Sequence, residues 1–309
     1  MIPATRRETV VTFYSSVNLF FINLFTRLVP RFLHPPVALV TAGIVYCLST
    51  KQRRGFRENL RAVTGRRDVE GLVLSGYYKF ARNWCDIMLM MRLSGERLFA
   101  LIGRQEGHGI LDRVLAEGKG AIIISPHLGN WELGGLGLAD RGYQINVMTF
   151  REPDEKVNEL REKARQERGI GFIYVDRDDT SPLAIVETVN ALRRNEVVAL
   201  LGDRDGSSHT VTLDFFGRPT PIPVGAAYLA LASGAPVIPV FVPREGNRYA
   251  TLMEEPVYLT GGHGRHGEAI RDGMERVLRV FEKYIRQYPD QWYNFFDYWS
   301  SADTPQEKE

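Results

Sequence analysis

The stretch Gly120-Ala-Ile-Ile-Ile-Ser-Pro-His-Leu-Gly-Asn-Trp-Glu-Leu-Gly-Gly135 decides the fold of this 309-residue chain. Its first part, Ala121 to Ile124, is an apolar run rich in β-branched residues, which predicts a buried strand. Pro126 breaks the run, and a tight turn delivers His127. A helix is expected to open near Asn130. The stretch therefore predicts a strand–turn–helix unit with a histidine in the turn.

Glu132 follows His127 by five residues. Two positions with this spacing lie about 140° apart on a regular helix and do not share a face. The two side chains can meet only if His127 lies in the turn and Glu132 in the first helical turns. A carboxylate that is hydrogen-bonded to an imidazole fixes the tautomer of the ring. The imidazole can then take a proton from a hydroxyl. A structural histidine gives the same short pattern, so the pair alone leaves both roles open.

Strands and helices alternate after this unit, which predicts an α/β fold with a mostly parallel central sheet flanked by helices. Ligands bind outside the carboxyl ends of the strands in such sheets. His127, Arg151, Arg177 and Asp203 each follow a predicted strand, so we expect them to converge on one site. The expected strands are 144–150, 171–175, 197–201, 237–241 and an edge strand at 249–259; the expected helices are 69–91, 155–168, 183–194, 225–233 and an amphipathic C-terminal helix around 270–285.

Positive charge is concentrated at the N-terminus. Residues 1–67 carry eleven Lys and Arg side chains and two acidic ones, a net charge of +9, whereas the remainder carries −7. The same region holds two uncharged apolar runs, 9–26 and 32–50. The first is short for a membrane span of about 20 residues, so we favour an interfacial helix at an anionic membrane surface over a single span. The charge also suits an acidic carrier protein, whereas no nucleic acid partner is expected.

The sequence Asp203-Arg204-Asp205 leaves a second function open. Paired carboxylates at a strand end bind Mg²⁺ or Mn²⁺ in many glycosyltransferases, although three letters without a Gly-rich phosphate loop are weak support. His263 and His266 lie in a Gly-rich loop without an acidic or Cys partner, and the two cysteines show no metal spacing. We therefore expect no metal and no bound cofactor.

Several motifs share one order along the chain. His127-Leu-Gly-Asn-Trp-Glu132 is followed by Asp203-Arg-Asp-Gly206, by Phe215-Phe-Gly217 with Pro219, and by Leu229-Ala-Leu-Ala-Ser-Gly-Ala-Pro-Val-Ile-Pro239. This order and spacing, over roughly a hundred residues, resembles that of the bacterial lipid A biosynthesis (lauroyl/myristoyl) acyltransferase family. That family carries a His-x4-Asp/Glu block, belongs to the lysophospholipid acyltransferase superfamily and includes phosphatidylinositol mannoside acyltransferases.

The resemblance implies an enzyme that moves a fatty acyl chain from a thioester to a hydroxyl of a membrane lipid or glycolipid, such as a lipid A precursor in lipopolysaccharide biosynthesis. The acyl donor would be acyl carrier protein or CoA, as a co-substrate, and the enzyme would lie at the cytoplasmic face of the inner membrane. His127 is then expected to act as general base and Glu132 to orient it. A nucleophilic residue is not needed, because the thioester is already activated.

Binding roles follow from the same resemblance. Backbone amides near Gly129 and Asn130, or the Arg151 side chain, are expected to bind the tetrahedral oxyanion. Arg151 and Arg177 are alternatively expected to hold phosphates of the donor or acceptor. The 203–205 triplet, Asp203, Arg204 and Asp205, is expected to hold loop structure or acceptor sugars, outside the proton transfer.

The C-terminus departs from the family pattern. Pro289-Asp-Gln-Trp292 is similar to its Pro-Glu-Gln-aromatic signature, but Phe295-Phe-Asp-Tyr-Trp299 carries an acid where lipid A enzymes usually have a basic segment. The identity of the acceptor lipid is therefore left open. We expect a membrane-associating helical arm at 1–67, an acyltransferase domain at 68–300 and a loose tail at 301–309. Besides an acyltransferase and a metal-dependent glycosyltransferase, the third functional hypothesis is a lipid-binding protein without catalytic activity.

Overall fold

A computed structural model of the chain describes residues 16–150, 168–175, 182–204, 209–261 and 266–300, with 16–20 and 182 described by their backbone alone. The helix predicted at 155–168 lies almost entirely outside these ranges. The candidate residues Arg151, Arg177, Asp205 and His263 also lie outside them.

Helices precede the first strand and then alternate with strands. The helices are α1 (Ser16–Leu28), α2 (His34–Leu48), α3 (Thr50–Thr64), α4 (Glu70–Met90), α5 (Glu96–Phe99), α6 (His108–Leu115), α7 (Trp131–Asp140), α8 (Pro182–Arg193), α9 (Gly225–Ser233) and α10 (His266–Gln287). The strands are β1 (Ile102–Glu106), β2 (Ala121–Ser125), β3 (Ile145–Thr149), β4 (Ile170–Tyr174), β5 (Val197–Leu201), β6 (Thr210–Phe215), β7 (Arg218–Pro223), β8 (Val237–Phe241), β9 (Arg244–Glu245) and β10 (Arg248–Met253).

The central sheet has the strand order β1-β10-β8-β2-β5-β3-β4, with β9 paired to β10. Its neighbours are parallel except at β10, which runs antiparallel to β8 and β9. The predicted α/β class with a mostly parallel sheet is confirmed. The prediction of an edge strand at 249–259 is wrong, because β1 covers the outer side of β10 and the strand ends at Met253. The polar sequence of β1, IGRQE, gave no strand pattern.

An antiparallel hairpin of β6 and β7 forms a separate two-stranded sheet. The sequence analysis predicted no strand here, because β7 contains Pro219, Pro221 and Pro223 and proline is depleted in strands. Phe216 lies at the tip of the hairpin with a positive φ of 57°. The hairpin thereby brings Phe215 and Phe216 against Trp292, near the C-terminus.

The adjacent strands β2 and β8 are buried on both faces, as the uninterrupted apolar run in β2 predicted. Ile122 and Ile124 belong to the core cluster on one face, which includes residues of α8, α9 and α10. Ile123 belongs to the cluster on the other face, with residues of α4, α6 and α7. This alternation follows from the two-residue period of a strand. It fixes the carboxyl end of β2, and therefore the turn that follows, between two packed layers.

The N-terminal helices α1 and α2 pack along α4 but leave apolar side chains exposed. The largest exposed fractions are 72% at Leu28, 75% at Phe32 and 79% at Leu48. Among the described residues, the segment Arg31–Leu48 is long and apolar enough to cross a membrane by length and composition alone. We call the exposed set Phe21, Leu24, Leu28, Phe32, Leu33, Val37, Leu39, Val40, Ile44 and Leu48 the N-terminal apolar surface.

The basic helix α3 is tied to residues near the C-terminus by Asn59. This side chain is fully buried and donates to the carbonyl oxygens of Asn294 and Phe296 at 2.8 and 2.7 Å. It also accepts from the backbone amide of Tyr298 at 3.0 Å. The three bonds hold the C-terminal segment, which we define as residues 289–298, against the helical layer.

Candidate active site

The register of two neighbouring strands brings His127 and Asp203 together. β2 and β5 are parallel and pair residue for residue from Ala121↔Val197 to Ser125↔Leu201. His127 follows the last residue of β2 by two positions, and Asp203 follows the last residue of β5 by two positions. The two side chains therefore leave the same edge of the sheet at the same level.

The imidazole and the carboxylate are directly hydrogen-bonded. His127 Nδ1 lies 2.6 Å from Asp203 Oδ1. The Asp203 side chain has no exposed surface, whereas 17% of the His127 side chain is exposed. The second carboxylate oxygen, Oδ2, accepts from Trp292 Nε1 at 2.8 Å and from Asn294 Nδ2 at 3.4 Å. The pair thus has one face in the protein interior and one at the surface.

The charges around this pair favour an ionised carboxylate beside a neutral imidazole. Burial raises the pKa of Asp203, but His127, Arg204 and the Trp292 N–H together hold that pKa well below its usual range. Burial and the positive charge of Arg204 lower the pKa of His127 below 6.5, and Asp203 offsets this only in part. The ionised Asp203 fixes the Nδ1–H tautomer, because a carboxylate can only accept. His127 Nε2 therefore keeps a lone pair that can accept a proton.

The loop after His127 is held by backbone pairing on two sides. Gly129 N donates to the Gln291 carbonyl at 3.0 Å, and Asn130 N donates to the Val242 carbonyl at 2.8 Å. The expectation that these amides bind an oxyanion is therefore not supported, because both already have backbone acceptors. Asn130 instead caps α7, since its side chain accepts from Leu133 N at 3.0 Å.

The predicted roles of the acidic residues change in the structure. The Nδ1 position of His127, which the sequence assigned to Glu132, is occupied by Asp203. Glu132 lies in the first turn of α7 and is partly buried. Asp203 was expected to hold the loop or contact acceptor sugars, but with 1% of its surface exposed it contacts the protein interior. The sequence signal that identifies Asp203 is its position: it follows the end of β5 by two residues, just as His127 follows the end of the paired strand β2.

Arg204 is bound by the C-terminal segment. Its Nε donates to Asn294 Oδ1 at 2.7 Å, and its Nη2 donates to the Tyr293 carbonyl at 2.6 Å. Its guanidinium also lies over the Phe296 ring, 5.5 Å from the centroid. Its predicted contact with substrate remains a prediction, whereas its attachment to the C-terminal segment is a contact that the sequence did not indicate.

The hydrogen bonds of Asp203 bear on whether this residue could bind a metal ion. Among the described residues there is no group of three His, Cys, Asp or Glu side chains placed to hold a metal ion. Both Asp203 oxygens are bound by protein donors. The glycosyltransferase alternative needed Asp203 as a metal ligand, so its hydrogen bonds argue against that hypothesis. His266 begins α10 rather than lying in a loop.

A cavity lies beside α7. Residues of β1, α6, α7, β8 and β10 line it, and most of them are apolar; the charged or polar lining residues include Gln105, Glu106, His108 and Arg141. Leu133 and Val242 line the cavity, and both also pair with Asn130 in the loop that carries His127. Gly137 opens the space, because a Cβ added there would have no heavy atom within 4 Å.

Comparison with known proteins gives a consistent picture. The sequence model of the family described as bacterial lipid A biosynthesis acyltransferase matches residues 5–301. A phosphatidylinositol mannoside acyltransferase of Mycobacterium tuberculosis is 27% identical over 249 residues, which cover 79% of this chain and 76% of the relative. The protein of the same name from Mycolicibacterium smegmatis is 24% identical over 264 residues, which cover 84% of this chain and 83% of the relative.

The loop geometry predicts a specific loss of stability in Gly129→Ala. Gly129 has a φ of +68°, and an added Cβ would lie 2.2 Å from the Val242 carbonyl oxygen. Gly65 has a φ of +66° with nothing within 4 Å, so Gly65→Ala serves as the control for backbone strain alone. We expect Gly65→Ala to cost about 1–2 kcal/mol and Gly129→Ala to cost more than about 2 kcal/mol in denaturant unfolding. Equal losses would contradict the close packing of the loop on Val242.

Proposed function

Because the chain belongs to the bacterial lipid A biosynthesis acyltransferase family and is an acyltransferase, we propose that it moves a fatty acyl chain from a thioester to a hydroxyl of a glycosylated membrane lipid. The observation that carries this proposal is the His127–Asp203 pair. A neutral imidazole with its Nδ1–H held by a buried carboxylate is the form that a general base requires.

The proposed reaction uses His127 Nε2 to remove the proton from the acceptor hydroxyl. The oxygen attacks the thioester carbonyl, and a C–O bond forms as the carbonyl becomes a tetrahedral oxyanion. When the intermediate collapses, the C–S bond breaks, and the thiolate takes the proton from the His127 imidazolium. Asp203 stabilises that imidazolium in between and stays ionised itself. Atoms balance as thioester plus alcohol giving ester plus thiol.

The start of α7 supports charge stabilisation at this place. The helix begins at Trp131, four residues after His127, and its N-terminal end carries a partial positive charge. The Trp131 ring meets the imidazole edge to face, with ring centroids 5.4 Å apart. These features favour a developing oxyanion near His127. Arg151 remains the proposed side-chain donor to that oxyanion, and Arg177 a proposed phosphate ligand, both outside the described residues.

The cavity beneath α7 supports the binding of an acyl chain. Leu133, Gly134, Gly137 and Leu138 give one face of α7 an apolar lining without large side chains at its two glycines. Leu133 and Val242 of the cavity lining both bond to Asn130 in the loop that carries His127, and this link supports placing the hydrocarbon chain of a thioester bound at His127 in the cavity. An apolar chain transferred there from water is favoured by about 0.8 kcal/mol for each buried CH₂.

The acceptor is proposed from the family and its relatives. Both the family description and the relatives' names refer to glycosylated lipids, lipid A and phosphatidylinositol mannoside. The N-terminal apolar surface, flanked by Arg27, Arg31 and Lys51, supports binding at an anionic membrane. Acyl carrier protein and CoA remain alternative carriers of the thioester, and the cytoplasmic face of the inner membrane is the side where both occur.

The function is tested by labelled acyl transfer. Purified protein is mixed with host lipid vesicles and either acyl-CoA or acyl carrier protein thioester, with and without EDTA. We expect a labelled glycolipid that forms in the presence of EDTA.

His127→Ala and Asp203→Asn should each lower the rate by about 10³-fold or more, and the double variant should be no slower than His127→Ala, because the two residues act as one unit. The absence of acyl lipid with either donor would contradict the proposal, and additive losses would contradict the dyad.

Membrane binding is tested by flotation on vesicles of phosphatidylglycerol and phosphatidylethanolamine. The double variant Leu28→Asp/Phe32→Asp should float far less than wild type, because two charges replace apolar side chains at the surface proposed to enter the lipid. Leu183→Asp/Ile185→Asp, exposed apolar residues of α8, is the matched control and should float like wild type. Equal flotation of both variants would contradict membrane binding through the N-terminal apolar surface.

The acyl cavity is tested by filling it. Gly137→Leu places a side chain in the open space, and we expect the preferred acyl donor to become shorter, with little change in the rate for the shortest chain accepted. Gly135→Leu is the control, since Gly135 is on the same helix with equal room but does not line the cavity. Competition between donors of different length, analysed by mass spectrometry, measures the preference. An unchanged chain-length profile in Gly137→Leu would exclude this cavity as the acyl site.

A further inference from the structure

The C-terminal segment contacts both members of the dyad. Tyr293 N donates to the His127 carbonyl at 2.9 Å, and Leu128 and Trp292 form an antiparallel bridge. Together with the bond from Gly129 N to the Gln291 carbonyl, these contacts extend along the whole turn that carries the imidazole. The backbone position of His127 therefore depends on residues more than 160 positions later in the sequence.

Trp292 reaches the other member of the pair. Its Nε1–H donates to Asp203 Oδ2 at 2.8 Å, so each carboxylate oxygen has its own short hydrogen bond, one to the imidazole and one to the indole. Tyr298 adds a hydrogen bond from its hydroxyl to the Asp203 backbone carbonyl. The carboxylate is thereby fixed in rotation as well as in place.

The indole itself cannot turn. Trp292 is 1% exposed and is surrounded by an aromatic cluster of Phe215, Phe216, Tyr298 and Trp299, with ring centroids 4.9 to 6.3 Å away. The cluster is itself anchored, because Trp299 Nε1 donates to Thr220 Oγ1 at 3.1 Å and Asn59 holds the chain on both sides of Phe295. A rigid N–H donor is therefore presented to Asp203.

We propose that Trp292 is a positioning residue of the reaction. Its indole N–H holds the Asp203 carboxylate in the orientation that binds His127 Nδ1. The same N–H also stabilises part of the negative charge that would otherwise act on His127 alone. This inference rests on the proposed function. It also gives a chemical reason for the aromatic residue of the Pro289–Trp292 stretch, namely that its N–H, and not only its ring, is used.

Removal of the N–H should change the proton affinity of His127. A carboxylate that loses one donor concentrates more negative charge toward the imidazole and favours its protonated form, so the pKa of His127 rises. Among the residues that the structure describes, the other charged or titratable groups on the elements around His127 are Arg204 in the same loop as Asp203, Glu132 in the first turn of α7, and Tyr293 of the C-terminal segment. They are unchanged by a substitution at 292.

The test compares Trp292→Phe with Trp299→Phe. Both remove an indole N–H from the same buried cluster, but only the first touches the dyad. In wild type we expect kcat/KM to fall as pH decreases through a His127 pKa below 6.5. In Trp292→Phe that acid limb should move to higher pH, with kcat lowered about tenfold and the KM for the acyl donor unchanged. Trp299→Phe should keep the wild-type limb.

A titration of the His127 ring by ¹⁵N NMR measures the same pKa without turnover. An unchanged His127 pKa in Trp292→Phe, or equal shifts in the two variants, would overturn the proposal. Inactive wild-type protein with a Trp292-dependent His127 pKa would instead contradict the proposed function alone. If Trp292→Phe fails to fold, benzothienylalanine at position 292 keeps the shape of the ring and lacks the N–H. The expected rise in the His127 pKa, and the outcome that overturns it, are the same for that variant.

Discussion

A carboxylate with no exposed surface is the constraint on which the site depends. Burial of an ionised group without partners costs several kcal/mol, so Asp203 requires compensation from the groups around it. The structure supplies it from three directions: the imidazole on one oxygen, the indole N–H on the other, and the positive charge of Arg204 nearby. Removal of any one of these groups leaves the buried Asp203 carboxylate without one of its stabilising partners. The orientation of the His127 imidazole is a consequence of that requirement, whereas burial and the positive charge of Arg204 lower its pKa and favour the neutral ring.

The same constraint explains how distant parts of the chain are joined. The C-terminal segment supplies the donors to Asp203 and the backbone partners of the His127 turn. Asn59 on the basic helix α3 binds this segment through three hydrogen bonds. The N-terminal apolar surface is thus connected, through α3 and the C-terminal segment, to the His127–Asp203 pair. Such a connection keeps the site in a fixed relation to the surface proposed to lie on the membrane.

The parallel sheet and most of its elements followed from the sequence, because the central strands are mostly apolar runs between turn residues. The strand 197–201 and the helix 225–233 were predicted to the residue. Among the elements that were missed, the polar strand β1 and the proline-rich strand β7 have compositions that are not typical of strands. β1 pairs with β10, which is far away in the sequence, whereas β7 pairs with the neighbouring strand β6 in spite of its prolines.

At the site, the sequence indicated His127 and the edge of the sheet but gave the carboxylate to the nearer residue. Glu132 is five positions away, whereas Asp203 is 76 positions away and meets His127 only because β2 and β5 are adjacent. Spacing along the chain could not decide whether Glu132 or Asp203 pairs with His127, because strand order is a property of the folded sheet. Trp292 and Asn294 could not be assigned to Asp203 for the same reason.

The most direct test of this account is the tautomer and charge of His127 at neutral pH. ¹⁵N chemical shifts of the ring in selectively labelled protein distinguish a protonated nitrogen from one with a free lone pair. The account predicts a neutral ring with the proton on Nδ1, hydrogen-bonded to Asp203, and Nε2 unprotonated. A ring protonated on Nε2 alone, or an imidazolium at neutral pH, would contradict the assignment of His127 as a general base held by Asp203.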